Sequence, residues 1–220
     1  MVKKKVAAFF DFDKTLLSVD SAEIGLKYLW KLGEISTGLI LKIVLANELF
    51  KRHIYSAESI SELALTLYKG KRLQDFEEGS REYYLTELKP FLAHNIVSRL
   101  EEHRRKGHLL VLLSASIRYM LEHVVQDLRF DHLLCTDLEV GSDNLLTGKA
   151  RGKICIGGHK AVAAMRLADE QAIDLVHSYA YGDHYSDLPV LELVGNPFVV
   201  APDTKLLQVA SCRNWPIINH

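Results

Sequence analysis

Short apolar runs rich in β-branched and aromatic residues recur along the chain at 5–10 (KVAAFF), 108–114 (HLLVLLS), 132–137 (HLLCTD), 177–182 (HSYAYG) and 197–201 (PFVVA). Each is short and nearly continuous in its hydrophobicity, which predicts a strand buried on both faces. Between most of them the apolar spacing changes to three and four. Within 90–107 the apolar positions 91, 92, 96, 97 and 100, opened by Pro90 and closed by Gly107, predict a helix. Similar patterns fall at 117–128, 158–172 and 203–210. Buried strands alternating with helices predict an α/β protein, an open parallel sheet covered on both faces.

Residues 17–89 break the alternation, because no strand pattern intervenes there. Helices are expected near 21–32, 36–50, 57–69 and 73–87, with Ser59–Glu62 (SISE) matching a capping box at one start. This predicts an α-helical insertion placed over the carboxyl edge of the sheet, where open sheets of this kind bind ligands. Segment 138–152 (LEVGSDNLLTGKARG) has the Gly, Asn and Asp punctuation of a β-hairpin. The most apolar stretch, 38–50, is interrupted by Lys42 and falls short of the roughly 20 residues a membrane span needs. It reads as a buried helix of the insertion, with contact to a hydrophobic substrate tail or a partner as the alternative.

Composition narrows the classes. The 220 residues are 48% hydrophobic and 25% charged, ordinary for a globular protein and incompatible with disorder or a fibre. A net charge of −1 offers no footprint for nucleic acid, and Lys3–Lys5 is too short to act as a basic tail. Cys135, Cys155 and Cys212 are odd in number and widely spaced, which fits neither a disulfide framework nor a zinc site. A reducing cytoplasm is the expected compartment, with no signal peptide and no stable membrane insertion.

Two acidic pairs change the picture most. Asp11 and Asp13 directly follow the first strand, and Asp183 and Asp187 follow the fourth. Carboxylates brought that close cannot all stay charged without a cation, and oxygen donors of this kind suit Mg²⁺. Thr15, Ser114 at the end of the second strand and Lys160 at the start of a helix are the groups a phosphate needs.

In chain order, D-x-D-x-T at 11–15, Ser114, Lys160 and G-D-x-x-x-D at 182–187 resemble the haloacid dehalogenase superfamily. The insertion after the first motif is similar to members of the phosphoserine phosphatase type. The resemblance implies a Rossmann-like open parallel sheet core over 1–16 and 90–220, with an α-helical bundle cap over 17–89. It also implies a Mg²⁺-dependent phosphomonoesterase in which Asp11 is the nucleophile and Asp13 the general acid and base. Mg²⁺ would be held by Asp11, the main-chain carbonyl of Asp13, Asp183 and Asp187, the last directly or through water. Thr15, Ser114, Ala115 and Lys160 would hold the phosphoryl group, with Lys160 part of the catalytic set.

Asp20 stands where relatives bind a substrate amine. Arg52 is near their cap arginine, and His184 is a candidate for contact with the leaving group. The chain departs from those relatives in carrying Ser-Ala-Ser at 114–116 instead of Ser-Gly-Gly, and Ser186 instead of Asn. The implied substrate is a small phosphomonoester, with amino-alcohol phosphates such as phosphoserine or histidinol phosphate among the candidates, handled by a monomer or homodimer. The alternatives are a phosphotransferase or mutase using the same aspartyl phosphate, a lysophospholipid-type phosphatase, and a non-enzymatic phosphoacceptor or binding domain.

Overall fold

The computed structural model describes residues 4–51 and 56–220, and in it all five apolar runs form strands. In chain order the strands are β1 (Ala7–Phe10), β2 (Leu109–Ile117), β3 (His132–Thr136), β4 (Leu138–Val140), β5 (Leu146–Ala150), β6 (Tyr179–Gly182), β7 (Asn196–Val200) and β8 (Ile217–Ile218). Six of them make one sheet in the order β3-β2-β1-β6-β7-β8, every neighbouring pair parallel. The expected α/β class holds. β8 has no signal in the sequence pattern, because two residues carry no period; it joins the edge through Val199 opposite Ile217 and Val200 opposite Ile218.

The buried character of β1 follows from its central place. Ala8 and Phe10 face one core cluster with Ile96 and Leu100 of α5 (His94–Arg105) and Leu121 and Val124 of α6 (Arg118–Leu128). Ala7 and Phe9 face a second cluster with Ala164 and Ala168 of α7 (Gly158–Gln171) and Leu206 and Ala210 of α9 (Thr204–Arg213). Each buried Phe contributes about 2–3 kcal/mol of transfer free energy, so this strand is fixed by both layers at once. The short α8 (Leu188–Leu191) completes the second layer.

The insertion contains α1 (Ser21–Lys31), α2 (Thr37–Lys51), α3 (Ala57–Leu65) and α4 (Leu73–Tyr83), the last continued by a wider turn at Tyr84–Leu88. Two expectations need correction. Helix α3 starts at Ala57, where Ser56 Oγ accepts from Ser59 N at 3.1 Å, so Ser59–Glu62 lies inside the helix and caps nothing. Nor is α2 fully buried: Ile43 and Ala46 pack inward, while Leu41, Val44 and Leu45 stay about three-fifths exposed at 63%, 57% and 60%.

Polar contacts tie the insertion to the sheet layer. Tyr84 Oη donates to Asp127 of α6 at 2.7 Å, and Ser80 Oγ lies 3.0 Å from His123 Nε2. The antiparallel β4–β5 hairpin, expected at 138–152, holds the segment before α4 through Gly70 N to Leu146 O and Leu146 N to Lys71 O. Gly148 is needed there. Its φ is +79°, and a Cβ would come within 2.9 Å of Lys69 Cβ. No described helix is long and apolar enough to cross a membrane.

Candidate active site

Register brings the acidic pairs together. Phe10 is opposite Leu112 of β2 and Tyr181 of β6, so Asp11 and Asp183 leave β1 and β6 at their carboxyl ends, while Ser114 stands inside β2, which runs on to Ile117 instead of ending at Ser114 as expected. The chain after β1 is turned by Asp11 N donating to Tyr181 O at 3.0 Å and by wide bonds from Leu16 N to Asp11 O and Leu17 N to Phe12 O. Buried Phe12, Leu16 and Leu17 anchor this turn, and Lys14 at its tip takes the left-handed conformation with φ 54°.

Asp11, Asp183 and Asp187 are buried with one carboxylate oxygen of each within 4.8 Å of the others. Lys160, from the first turn of α7, reaches between them: its Nζ lies 2.5 Å from Asp11 Oδ1 and 2.7 Å from Asp187 Oδ1. Three carboxylates face one ammonium. Burial pushes the Asp11 carboxyl up to about 7, with the charge of Asp187 adding to the rise and Lys160 opposing it. Asp183 is pushed up to about 9, first by burial and then by Asp11 and Asp187. The same carboxylates hold the Lys160 ammonium above its ordinary range, against the effect of burial. A set of hard oxygen donors with excess negative charge fits a divalent cation such as Mg²⁺.

Asp187 is oriented by its loop. His184 N donates to Asp187 Oδ2 at 3.2 Å, and a Cβ on Gly182 would meet Asp187 Cβ at 2.8 Å, so only glycine leaves room for this approach. The His184 ring turns to Ser186 Oγ, 3.0 Å from Nδ1, and to Asp203 Oδ2, 3.3 Å from Nε2.

Asp13 is held by different partners. Its Oδ1 accepts from Ser21 N at 2.6 Å and its Oδ2 from Ser116 Oγ at 2.8 Å. Burial, followed by the charge of Asp20, raises its pKa. Ser21 is held in turn by Tyr83 Oη, which donates to Ser21 O at 2.9 Å. Ser116 did not emerge from the sequence as a functional residue. Its only signal was a hydroxyl in the third place of Ser-Ala-Ser, and its partner lies 103 residues away.

The remaining candidates are distributed around this centre. Ser114 is buried and its Oγ accepts from Ser116 N at 3.0 Å, while Ala115 O accepts from Thr136 Oγ1 at 2.7 Å. Thr15 is fully buried, and its Oγ1 has no hydrogen-bond partner among the described residues. Asp20 is the N-cap of α1: Oδ1 accepts from Ala22 N at 3.0 Å and Glu23 N at 3.3 Å, and Oδ2 lies 3.3 Å from Lys14 Nζ. Arg52 lies outside the described residues.

Sheet order, insertion and acidic cluster together define a class. Residues 8–192 match the haloacid dehalogenase-like hydrolases, and the chain belongs to that family. It is 30% identical to the inhibition of morphological differentiation protein of Streptomyces azureus over 218 residues, 98% of this chain and 78% of that one. It is 25% identical to a histidinol-phosphatase of Neisseria meningitidis over 222 residues, 98% of this chain and 99% of the relative. A solved structure of a protein of unknown function from Bordetella pertussis Tohama I superposes with a TM-score of 0.87 at 25% identity, covering 98% of this chain and 99% of that one. A phosphoserine phosphatase solved as a phospho-aspartyl intermediate analogue shares the fold at 17% identity, with a TM-score of 0.73 over 99% of this chain and 94% of that one. Within its family the chain falls in the phosphoserine phosphatase-like branch, being 26% identical over 96% of its length to a phosphoserine phosphatase of Mycobacterium tuberculosis, 70% of which is covered, and it is a phosphatase.

Proposed function

We propose that the chain hydrolyses the phosphomonoester of a small metabolite with Mg²⁺, through an aspartyl phosphate on Asp11. The observation that carries this reading is the convergence of Asp11, Asp183 and Asp187 on Lys160, with Asp13 held separately by Ser21 and Ser116. Asp11, Asp183, Asp187 and the main-chain carbonyl of Asp13 would hold Mg²⁺, which when bound supplies positive charge against the phosphoryl oxygens.

Chemistry then divides between two aspartates. An Asp11 carboxylate oxygen attacks phosphorus, the bond from phosphorus to the ester oxygen breaks, and Asp13 passes its proton to that leaving oxygen. In the second half Asp13 takes a proton from water as the water oxygen attacks the acyl phosphate; the bond from phosphorus to Asp11 breaks and inorganic phosphate leaves. Lys160 favours the anionic form of Asp11 against the effect of burial and would bind phosphoryl oxygens together with Ser114, the main chain at Ala115 and the hydroxyl of Thr15, which has no partner among the described residues. Positioned charge of this kind has to lower the barrier by about 20 kcal/mol or more, because phosphate monoesters are among the slowest compounds to hydrolyse in water.

Residues 17–89 act in this reading as a cap domain over a core of 1–16 and 90–220. Amino-alcohol phosphates, the class that includes phosphoserine and histidinol phosphate, are the favoured substrates: Asp20 Oδ2 already pairs with the exposed ammonium of Lys14, a contact a cationic leaving group would replace. His184 holds the loop of Asp183 and Asp187 through Ser186 and Asp203, and it remains a candidate for contact with the leaving group. Asp11→Asn, checked for folding by circular dichroism, is expected to lose at least about 10³-fold in turnover of p-nitrophenyl phosphate with Mg²⁺. Wild-type turnover by that variant would overturn the proposal.

A further inference from the structure

Asp13 is gripped from two sides by groups of different kinds. Ser21 N at the start of the insertion donates to Oδ1, and the Ser116 hydroxyl at the end of β2 donates to Oδ2. Ser116 is itself fixed, because its N–H is bound to Ser114 Oγ at 3.0 Å and the preceding carbonyl of Ala115 is held by Thr136 Oγ1 at 2.7 Å. The buried Ser21 is fixed likewise, by Tyr83 Oη on its carbonyl. Two anchored donors on the two oxygens set the plane of the Asp13 carboxyl, which one donor alone cannot do.

We propose that Ser116 is a positioning residue for the general acid, setting the orientation from which Asp13 Oδ2 delivers its proton to the leaving oxygen. This rests on the reading of Asp13 as acid and base given above. The two donors are not equivalent. A main-chain N–H can only donate, so Oδ1 remains an acceptor throughout and the transferable proton belongs on Oδ2. A hydroxyl rotates, donating to the carboxylate and turning aside when Oδ2 carries the proton. Removing it frees the carboxyl to swing about the Ser21 contact, and misplacement of a reacting group by about 1 Å can cost about 10²-fold in rate.

The test compares 4-nitrophenyl phosphate with phenyl phosphate, esters of similar shape whose leaving groups differ in their need for a proton. Ser116→Ala is expected to lower kcat/KM for phenyl phosphate about tenfold, and for 4-nitrophenyl phosphate several-fold less. Equal losses on the two esters, or no loss on either, would overturn the proposal, since a merely structural role weakens both alike. Asp13→Asn, measured in parallel, separates the two levels of the argument. If it too fails to discriminate between the esters, the general-acid reading is wrong. If it discriminates and Ser116→Ala does not, only the role of Ser116 is lost.

Discussion

Lys160 makes the resting site tolerable, but one ammonium cannot neutralise Asp11, Asp183 and Asp187 together. Without a cation, the raised carboxyls of Asp11, at about 7, and Asp183, at about 9, favour the folded state only while they hold their protons. An acid whose folded pKa lies above its unfolded value of 3.8 gives stability that is present below that value and is lost as pH rises through the folded one. The metal-free protein is therefore expected to lose thermal stability between pH 6 and pH 9, and Mg²⁺ to raise Tm more at pH 9 than at pH 6. Thermal unfolding in EDTA and in Mg²⁺ at the two pH values measures this; an equal gain at both would count against a cation among these carboxylates. The aspartates are legible in the sequence because they follow strands, and Lys160 because it opens a helix. Ser116 and the capping use of Asp20 are not, because a hydroxyl or carboxylate finds its partner only once the chain has folded.

Among the elements, α1 carries the point that links the insertion to the site. Its N-cap Asp20 precedes Ser21, whose N–H holds Asp13, so the end of this helix is a structural part of the proposed catalytic geometry. Asp20→Ala is expected to cost about 1 kcal/mol in urea unfolding, and Asp20→Asn only a few tenths, since Asn caps as well as Asp. A loss as large for Asn as for Ala would mean that the pairing with Lys14, not the cap, carries the stability. Helix boundaries in the insertion were read less well than the strands. The capping box at Ser59–Glu62 gives way to Ser56, because Ser56, Ser59 and Ser61 stand close together and offer competing caps. The apolar run of α2 predicts a buried element, yet its period leaves Leu41, Val44 and Leu45 on the open face.

For the whole molecule, the sheet's parallel order could be read from strands and helices in alternation, while its polar interior could not. His103 of α5 is buried with Nε2 2.9 Å from Tyr181 Oη and Nδ1 2.8 Å from His108 Nδ1, under stacked Phe10 and Tyr181. A lone histidine in a charged helix face gave no sign of this. Burial first, then the neighbouring charges of His108, Lys106 and Arg99, lower its pKa from 6.5 to about 4. A base with a depressed folded pKa gives stability that is present above pH 6.5 and is lost as pH falls toward 4. Acidification over this window should cost on the order of 3 kcal/mol through this residue. Urea unfolding at pH 7 and pH 4.5 should show a smaller loss for His103→Gln than for the wild type; identical losses would place the acid sensitivity elsewhere.

The central claim is that phosphate passes through Asp11. Rapid acid quenching during turnover of 4-nitrophenyl phosphate, whose leaving group needs little help from the acid, followed by tritiated borohydride, which reduces an acyl phosphate to labelled homoserine and releases the phosphate, and then peptide mapping, tests it directly. The account predicts an acyl phosphate at Asp11, enriched in Asp13→Asn because its hydrolysis needs the base, and absent from Asp11→Asn. Turnover with no label on Asp11, or with label on another residue, would contradict it.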